Sequence, residues 1–393
     1  MPDPSSPLTD ASPASSSEEP GAANGRGSGP SSAGSSVSLW KIAGSLALSF
    51  GVLIGIGYFT FDVEAFWQMM REMQPWPFAA ALFVTLARVL FGGWRLQFIS
   101  RGRLSLMEGT RGQLAWDFFS NVTPSAIGGG PVATLYVAKD RGMPVGEAMA
   151  IMLFSILMDQ LWFALSIPVV LAASVTLEVI PASIGSVGLW TFVVVFVGML
   201  AWAAVFAYAT LFRPSLMERL ADRIFNFKYL SRFHDRVMDE MQQFTQRARD
   251  LRAESLGFYL KGFLLTVGVW MGRYLLIVFI VWSVVPSFDK VLVLLRTVAM
   301  TLSSLVLPTP GGSGGLEGLY ALFIGPLIPD ALVAPTLFAW RFLGYYIFIA
   351  LGAYLFLHQV QNLSPSATDD PPTNGHEPTH RPSLSSTDAD PAD

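Results

Sequence analysis

Between Leu39 and His358 the chain is a succession of apolar runs interrupted by short polar loops. A bilayer's hydrocarbon core of roughly 30 Å takes about 20 apolar residues of helix to cross, and runs of that length with few charges leave a chain little choice. Spans are expected near Leu39–Phe59, Pro77–Ile99, Ala148–Ser174, Ile184–Phe212, Leu256–Val285 and Ala331–His358. Two further apolar stretches, about Leu104–Ala138 and Lys290–Ile328, are broken in the middle and read as helical hairpins, either re-entrant or fully crossing. The predicted fold is an all-α polytopic membrane protein of six full spans plus two hairpins.

Composition agrees: 52% of the 393 residues are hydrophobic and 14% are charged, a balance that a soluble core does not need. The formal charge of −4 conceals two regimes. Residues 1–37 carry −3 and residues 361–393 carry −5, so the remainder is +4. The tails, residues 1–37 and 359–393, are polar, acidic and rich in Ser, Pro and Gly, and are expected to be disordered. The first has neither a basic start nor an apolar centre, so it is not read as a cleavable signal. The transmembrane domain then spans residues 38–358, with halves at 39–174 and 184–358. A modest basic excess gives no reason to expect nucleic acid. With no cysteine and four histidines, two of them in the C-terminal tail, no metal or other cofactor is expected.

Lysine and arginine in short loops set orientation. The loop after the second span carries Arg101, Arg103 and Arg111, and the one after the first hairpin carries Lys139 and Arg141. The polar stretch 213–254 is also basic, with Arg213, Arg219, Arg223 and Lys228 among others. These loops are assigned to the cytoplasm, and both termini with them. In the stretch 213–254, Leu216, Leu220 and Ile224, then Val237, Met241 and Phe244, recur at helical spacing. It is predicted to be amphipathic helix on or near the membrane, or else a solvated connector. The order span, span, hairpin, span occurs twice, starting from opposite sides. That is an inverted-topology repeat, a layout in which substrates bind near the midplane between discontinuous helices.

The two breaks read "SNVTPSAIGGGPVATLY", Ser120–Tyr136, and "PTPGGSGGLEGLYALF", Pro308–Phe323. Proline removes a backbone donor, and glycine permits positive φ and close approach of backbones. Each hairpin is therefore predicted to be two short helices joined by irregular backbone, which is tolerated at membrane depth only inside protein or beside a wet cavity. The restarting helices would offer free N–H groups to an anion such as phosphate. Glu317 beside the second start is expected to favour the helix dipole, pair with an arginine or carry a proton. The plainer alternative is that these small residues only allow tight helix packing.

Ionisable residues inside spans are costly and are functional candidates. Arg88 and Arg95 share one face of the second span. Asp117 and Asn121 are four apart before the first break. Asp159, Arg273, Arg296, Glu317 and Arg341 complete the set. Arginine outnumbers acid, which suits a phosphate-bearing ligand gripped by guanidinium groups. Arg95 is expected to snorkel towards the cytoplasmic interface, while Arg273 and Arg341 lie too deep to do so. The alternative for all of them is a set of interhelical ion pairs. Asp117, Asn121 and Asp159 are candidates for charge coupling. No nucleotide loop, metal motif or serine elbow is present, so an enzyme is not the favoured reading.

The stretches Thr123–Ala150 and Leu307–Phe323, together with "GGWRL" at Gly92–Leu96 and "WRFLGYYIFIALGAY" at Trp340–Tyr354, resemble the flippase-like transmembrane region of lysylphosphatidylglycerol synthases and its stand-alone relatives. The resemblance covers about Leu39 to His358. It implies a bacterial inner-membrane protein that moves a polar lipid headgroup between leaflets. Carried over by motif, it marks Pro124, Gly128 and Gly129, then Pro308, Pro310, Gly311, Gly312, Gly314 and Glu317, and Arg341 in the last span. The chain departs from the family at Gly130, where relatives commonly carry glutamine or glutamate. Only a 35-residue polar tail follows the last span, so a soluble aminoacyl-transfer domain and lipid aminoacylation are not expected. The substrate-binding set is completed by Gly130, Arg273 and Arg296. The expected partner is a phospholipid or polyprenyl-phosphate lipid, with a homo-oligomer or a partner enzyme left open. The rival readings are a membrane enzyme that modifies a lipid or lipid-linked sugar, and a non-catalytic accessory subunit.

Overall fold

A computed structural model describes residues 64, 67, 71–122, 129–209, 213–226, 233–305, 307 and 312–361. The expected first span, residues 1–37 and 362–393 of the tails, and the break residues 123–128 and 308–311 lie outside them. Among the described residues all regular structure is helical.

The elements are α1 Pro75–Ile99, α2 Leu106–Val122, α3 Gly129–Arg141, α4 Val145–Ala173, α5 Gly185–Ala207, α6 Pro214–Phe225, α7 His234–Arg252, α8 Leu256–Val284, α9 Lys290–Ser304, α10 Gly315–Phe323, α11 Asp330–Arg341 and α12 Ile347–Gln361. A π turn, Phe342–Tyr346, joins the last two into one interrupted rod. Among the described residues four stretches are long and apolar enough to cross a membrane: Pro75–Ile99, Val145–Ala173, Leu256–Val284 and Asp330–Leu355. The hairpin helices are shorter, at 17, 13, 15 and 9 residues for α2, α3, α9 and α10. At about 1.5 Å per residue, none of them alone covers a core of roughly 30 Å.

Local chemistry marks the helix ends. Pro75 opens α1, where a missing N–H is harmless. Ser105 and Glu108 form a reciprocal capping box at α2: Ser105 N–H donates to Glu108 Oε2 at 2.7 Å, and Glu108 N–H to Ser105 Oγ at 3.2 Å. Ser255 caps α8 by accepting from Phe258 N–H, and Asp289 caps α9 by accepting from Val291 and Leu292 N–H.

The centre of the bundle is α8. It packs most extensively on α1, and also against α4, α9 and α11. A core of Phe163, Ile167, Tyr274, Val281, Val298, Tyr320, Phe323 and Leu337 joins α4, α8, α9, α10 and α11. The pair α1–α2 approaches closely because Gly93 and Gly109 face each other, and a Cβ on Gly109 would collide with the carbonyl oxygen of Gly93.

Helices α6 and α7 divide the amphipathic stretch into two different surfaces. The apolar side of α7 buries Phe244, Ala248 and Leu251 while the helix packs on α4, whereas Leu216, Leu220 and Ile224 of α6 stay exposed. Glu240 of α7 accepts from the N–H of Gly146 at 2.7 Å, and Arg247 donates to the carbonyl oxygen of Ile99 at 3.1 Å. Ion pairs at this same end include Arg101 with Glu254, Arg103 with Glu147 at 3.1 Å, and Arg111 with Asp140 at 3.4 Å. The stretch read as helix on or near the membrane is thus in part a clamp across the ends of α1 and α4.

Candidate functional site

A cavity of about 670 Å³ opens among α1, α2, α4, α5, α8, α9 and α11. Its wall includes Arg88, Arg95, Arg273 and Arg341 and one carboxylate, Asp159. Polar groups come from Gln113, Ser120, Asn121, Gln160, Thr297 and Thr301, and broad apolar faces from Trp116, Trp202, Trp270, Trp340 and Tyr345. Such a mixture of a few fixed charges within an apolar wall is how ligand cavities are generally built.

The charges are arranged in three groups. The first is a hub around Asp117 on α2, which is 2% exposed. Its Oδ2 accepts from Arg88 Nη1 of α1 at 2.9 Å. Its Oδ1 accepts from Arg273 Nη2 of α8 at 2.5 Å and from Gln113 Nε2, one turn earlier on α2, at 3.3 Å. Two guanidinium groups share one carboxylate, which leaves a surplus positive charge here. Arg88 is buried, with its guanidinium 4.0 Å from the ring centroid of Phe348, whereas the Arg273 side chain is 38% exposed.

The second group joins α1, α4 and α8. Asp159 Oδ1 accepts from Arg95 Nη1 at 2.6 Å and from Trp270 Nε1 at 2.8 Å. Arg95 also donates to Thr266 Oγ1 at 3.3 Å. It is 1% exposed, so it does not snorkel: a carboxylate inside the bundle satisfies it better than a reach to the interface.

The third group lies at the second break. Gly314, at φ +83°, precedes α10, and its N–H donates to Glu317 Oε2 at 2.8 Å. The other oxygen of Glu317 accepts from Arg341 Nε at 2.8 Å, and Nη2 of the same guanidinium lies 2.7 Å away. Both side chains are buried. The start of α10 is therefore not an open anion site, because its own glutamate occupies that position.

The sequence of residues 42–352 matches the family model described as the lysylphosphatidylglycerol synthase TM region. The chain belongs to this family. A relative, the UPF0104 membrane protein of Archaeoglobus fulgidus, is 22% identical over 303 residues, covering 74% of this chain and 89% of the relative. No solved structure matches. Family membership and four span-length apolar helices make this a multi-pass membrane protein.

The candidate residues do not all reach the cavity. Asn121, Asp159, Arg273, Gly312 and Arg341 line it, while Asp117 and Glu317 stand behind arginines that do. Gly129 and Gly130 pack instead: a Cβ on the first would collide with Ser120, and one on the second would press on Ile156 and Trp116. Arg296 does not line the cavity. Its Nε donates to the carbonyl oxygen of Glu178 and its Nη1 to that of Phe323, both at 2.9 Å, so it ties the C-terminal end of α10 to the loop after α4. Pro124, Gly128, Pro308, Pro310 and Gly311 lie outside the described residues. Contributors not singled out from sequence include Gln113, Trp116, Gln160, Trp202, Trp270, Thr297 and Thr301. Helical spacing carries a signal for two of them, since Gln113 is four before Asp117 and Trp270 is three before Arg273.

Proposed function

We propose that this protein is a lipid translocator that carries a phosphate-bearing headgroup through the cavity while the acyl chains remain in the bilayer. The observation that carries the reading is the charge of the cavity: four arginines stand against Asp117, Asp159 and Glu317, an excess of one positive charge enclosed among aromatic walls. The surplus falls to Arg273, which lines the cavity with its side chain 38% exposed, and an anion there would complete it. The short hairpin helices fit two re-entrant hairpins among six spans, related as an inverted repeat. The basic ends of α1, α3 and α7 fit a cytoplasmic face in the plasma membrane, with both termini on that side. Movement is then downhill or coupled to an ion, with a carboxylate released from its arginine as the proton carrier.

Arg273 is the residue to test. Arg341→Ala would strand the buried Glu317, whereas Arg273→Ala leaves the pair Arg88–Asp117 in place. In liposomes carrying a fluorescent anionic phospholipid, Arg273→Ala is expected to slow transbilayer movement at least about tenfold, the scale of a lost charge-assisted hydrogen bond. Elution and melting should be those of the wild type. Movement at the wild-type rate would sink the reading.

A further inference from the structure

Helix α6 is neutral by composition, with Arg219 and Arg223 against Glu218 and Asp222, but its charges are sorted by side. Leu216, Leu220 and Ile224, 44%, 55% and 44% exposed, recur every fourth residue and form an open ridge. Arg219 and Arg223 are exposed on the flank of that ridge, and Arg213 is exposed just before the helix. The two acids fall on the opposite side and are half-buried. There α6 packs on α7, and Asp222 meets His234. The open face therefore presents aliphatic side chains and cations only.

Connectivity holds this face at the level where the membrane helices end. The apolar helix α5 stops at Ala207, and the chain folds over as Arg213 N–H donates to the carbonyl oxygen of Tyr208 at 2.9 Å. On its other side α6 rests on α7, which is fastened to the ends of α4 and α1 through Gly146 and Ile99. We propose that α6 is an interfacial helix that binds an anionic lipid surface. Its ridge enters the boundary of the acyl region, and its arginines reach lipid phosphates. The acidic tails of this chain match the arginines but not the ridge. Residues 362–393 offer two large apolar side chains, Leu363 and Leu384, and residues 1–37 offer Met1, Leu8 and Val37.

The chain has no cysteine, so Leu220→Cys accepts a single environment-sensitive fluorophore. The full chain is placed in nanodiscs of phosphatidylcholine, with or without phosphatidylglycerol. Lipid spin-labelled near the headgroup reports docking, and acrylamide reports exposure to water. A fluorophore at Gln243→Cys, exposed on α7 away from the ridge, should be quenched by acrylamide throughout. In anionic nanodiscs the Leu220→Cys probe should be quenched by the lipid label and shielded from acrylamide. Replacing Arg219 and Arg223 by glutamine should lower the ratio of docked to free helix about fivefold for each arginine, with elution and melting unchanged. Acrylamide quenching equal to that at Gln243→Cys would put the face in water and overturn the proposal. Shielding from both quenchers would mean that protein covers the ridge, and would overturn it too. Docking that is the same in phosphatidylcholine alone, or in the double glutamine variant, would overturn the preference for anionic lipid.

Discussion

The two hairpins carry the same kind of sequence and solve the same problem differently. In the first, α2 and α3, the carboxylate precedes the break: Asp117 is shared by arginines from α1 and α8 and by Gln113. In the second, α9 and α10, it follows the break: Glu317 closes on one backbone N–H and on Arg341. Among the described residues the first arrangement leaves a positive charge over, and the second pairs one carboxylate with one guanidinium. Matching motifs therefore do not imply matching roles. At the second hairpin the carboxylate holds a helix start, and at the first it holds an arginine of the cavity wall.

The largest expected effect breaks that contrast at the second hairpin. Glu317→Ala and Arg341→Ala each strand a buried charge, and should cost about 3–5 kcal/mol of stability. Melting in detergent is the measurement. Arg273→Ala at the first hairpin should leave the melting point nearly unchanged while transport falls. Equal destabilisation by all three would erase the distinction between a structural and a functional arginine.

A smaller effect separates backbone from side chain. Gly314 has φ +83°, and Gly314→Ala should cost about 1–2 kcal/mol through the left-handed conformation alone. Glu317→Gln keeps an acceptor for the Gly314 N–H but loses the ion pair with Arg341, so combining it with Gly314→Ala shows whether the turn and the charge act together. Additive costs would mean that they do not.

The smallest effect lies outside both hairpins. His234 at the start of α7 meets Asp222 of α6 at 2.9 Å and Asp235 at 3.2 Å, and these bonds raise its pKa above the ordinary 6.5. A raised pKa stabilises the folded contact fully below about 6.5, and the contribution is lost as pH rises through the folded value. Hydrogen exchange in α6 should therefore quicken with pH, after correction for intrinsic rates, more in the wild type than in His234→Gln. Exchange in α10 should show no such difference. A matching change in α10 would tie the amphipathic helices to the second hairpin.

Much of the fold was legible in the sequence. The helix ends at Ile99, Ala173 and Val284 fall within a residue of where reading placed them and the starts within three, because membrane helices follow length and hydropathy. Ser255 and Asp289 cap α8 and α9, a signal in the sequence that the apolar pattern does not carry. The candidate arginines were legible as buried charge, but their partners were not. Arg95 was expected at the interface and lies inside with Asp159, 64 positions away, while Arg296 was expected with the ligand and holds two carbonyl oxygens. Such pairings depend on which helix faces meet, and a single helix does not encode that.

Sequence by itself determined that this chain lives in a membrane as helices, that two of its hairpins are interrupted, and that arginine outnumbers acid within it. Those properties are local sums of apolar length, backbone freedom and charge. Only the tertiary structure decided that Asp117 takes Arg88 and Arg273 while Glu317 takes Arg341, and so where the unbalanced charge resides among the described residues. The physical reason is that a charge's partner is chosen by distance across packed helices, at 2.5–2.9 Å, between residues up to 156 positions apart.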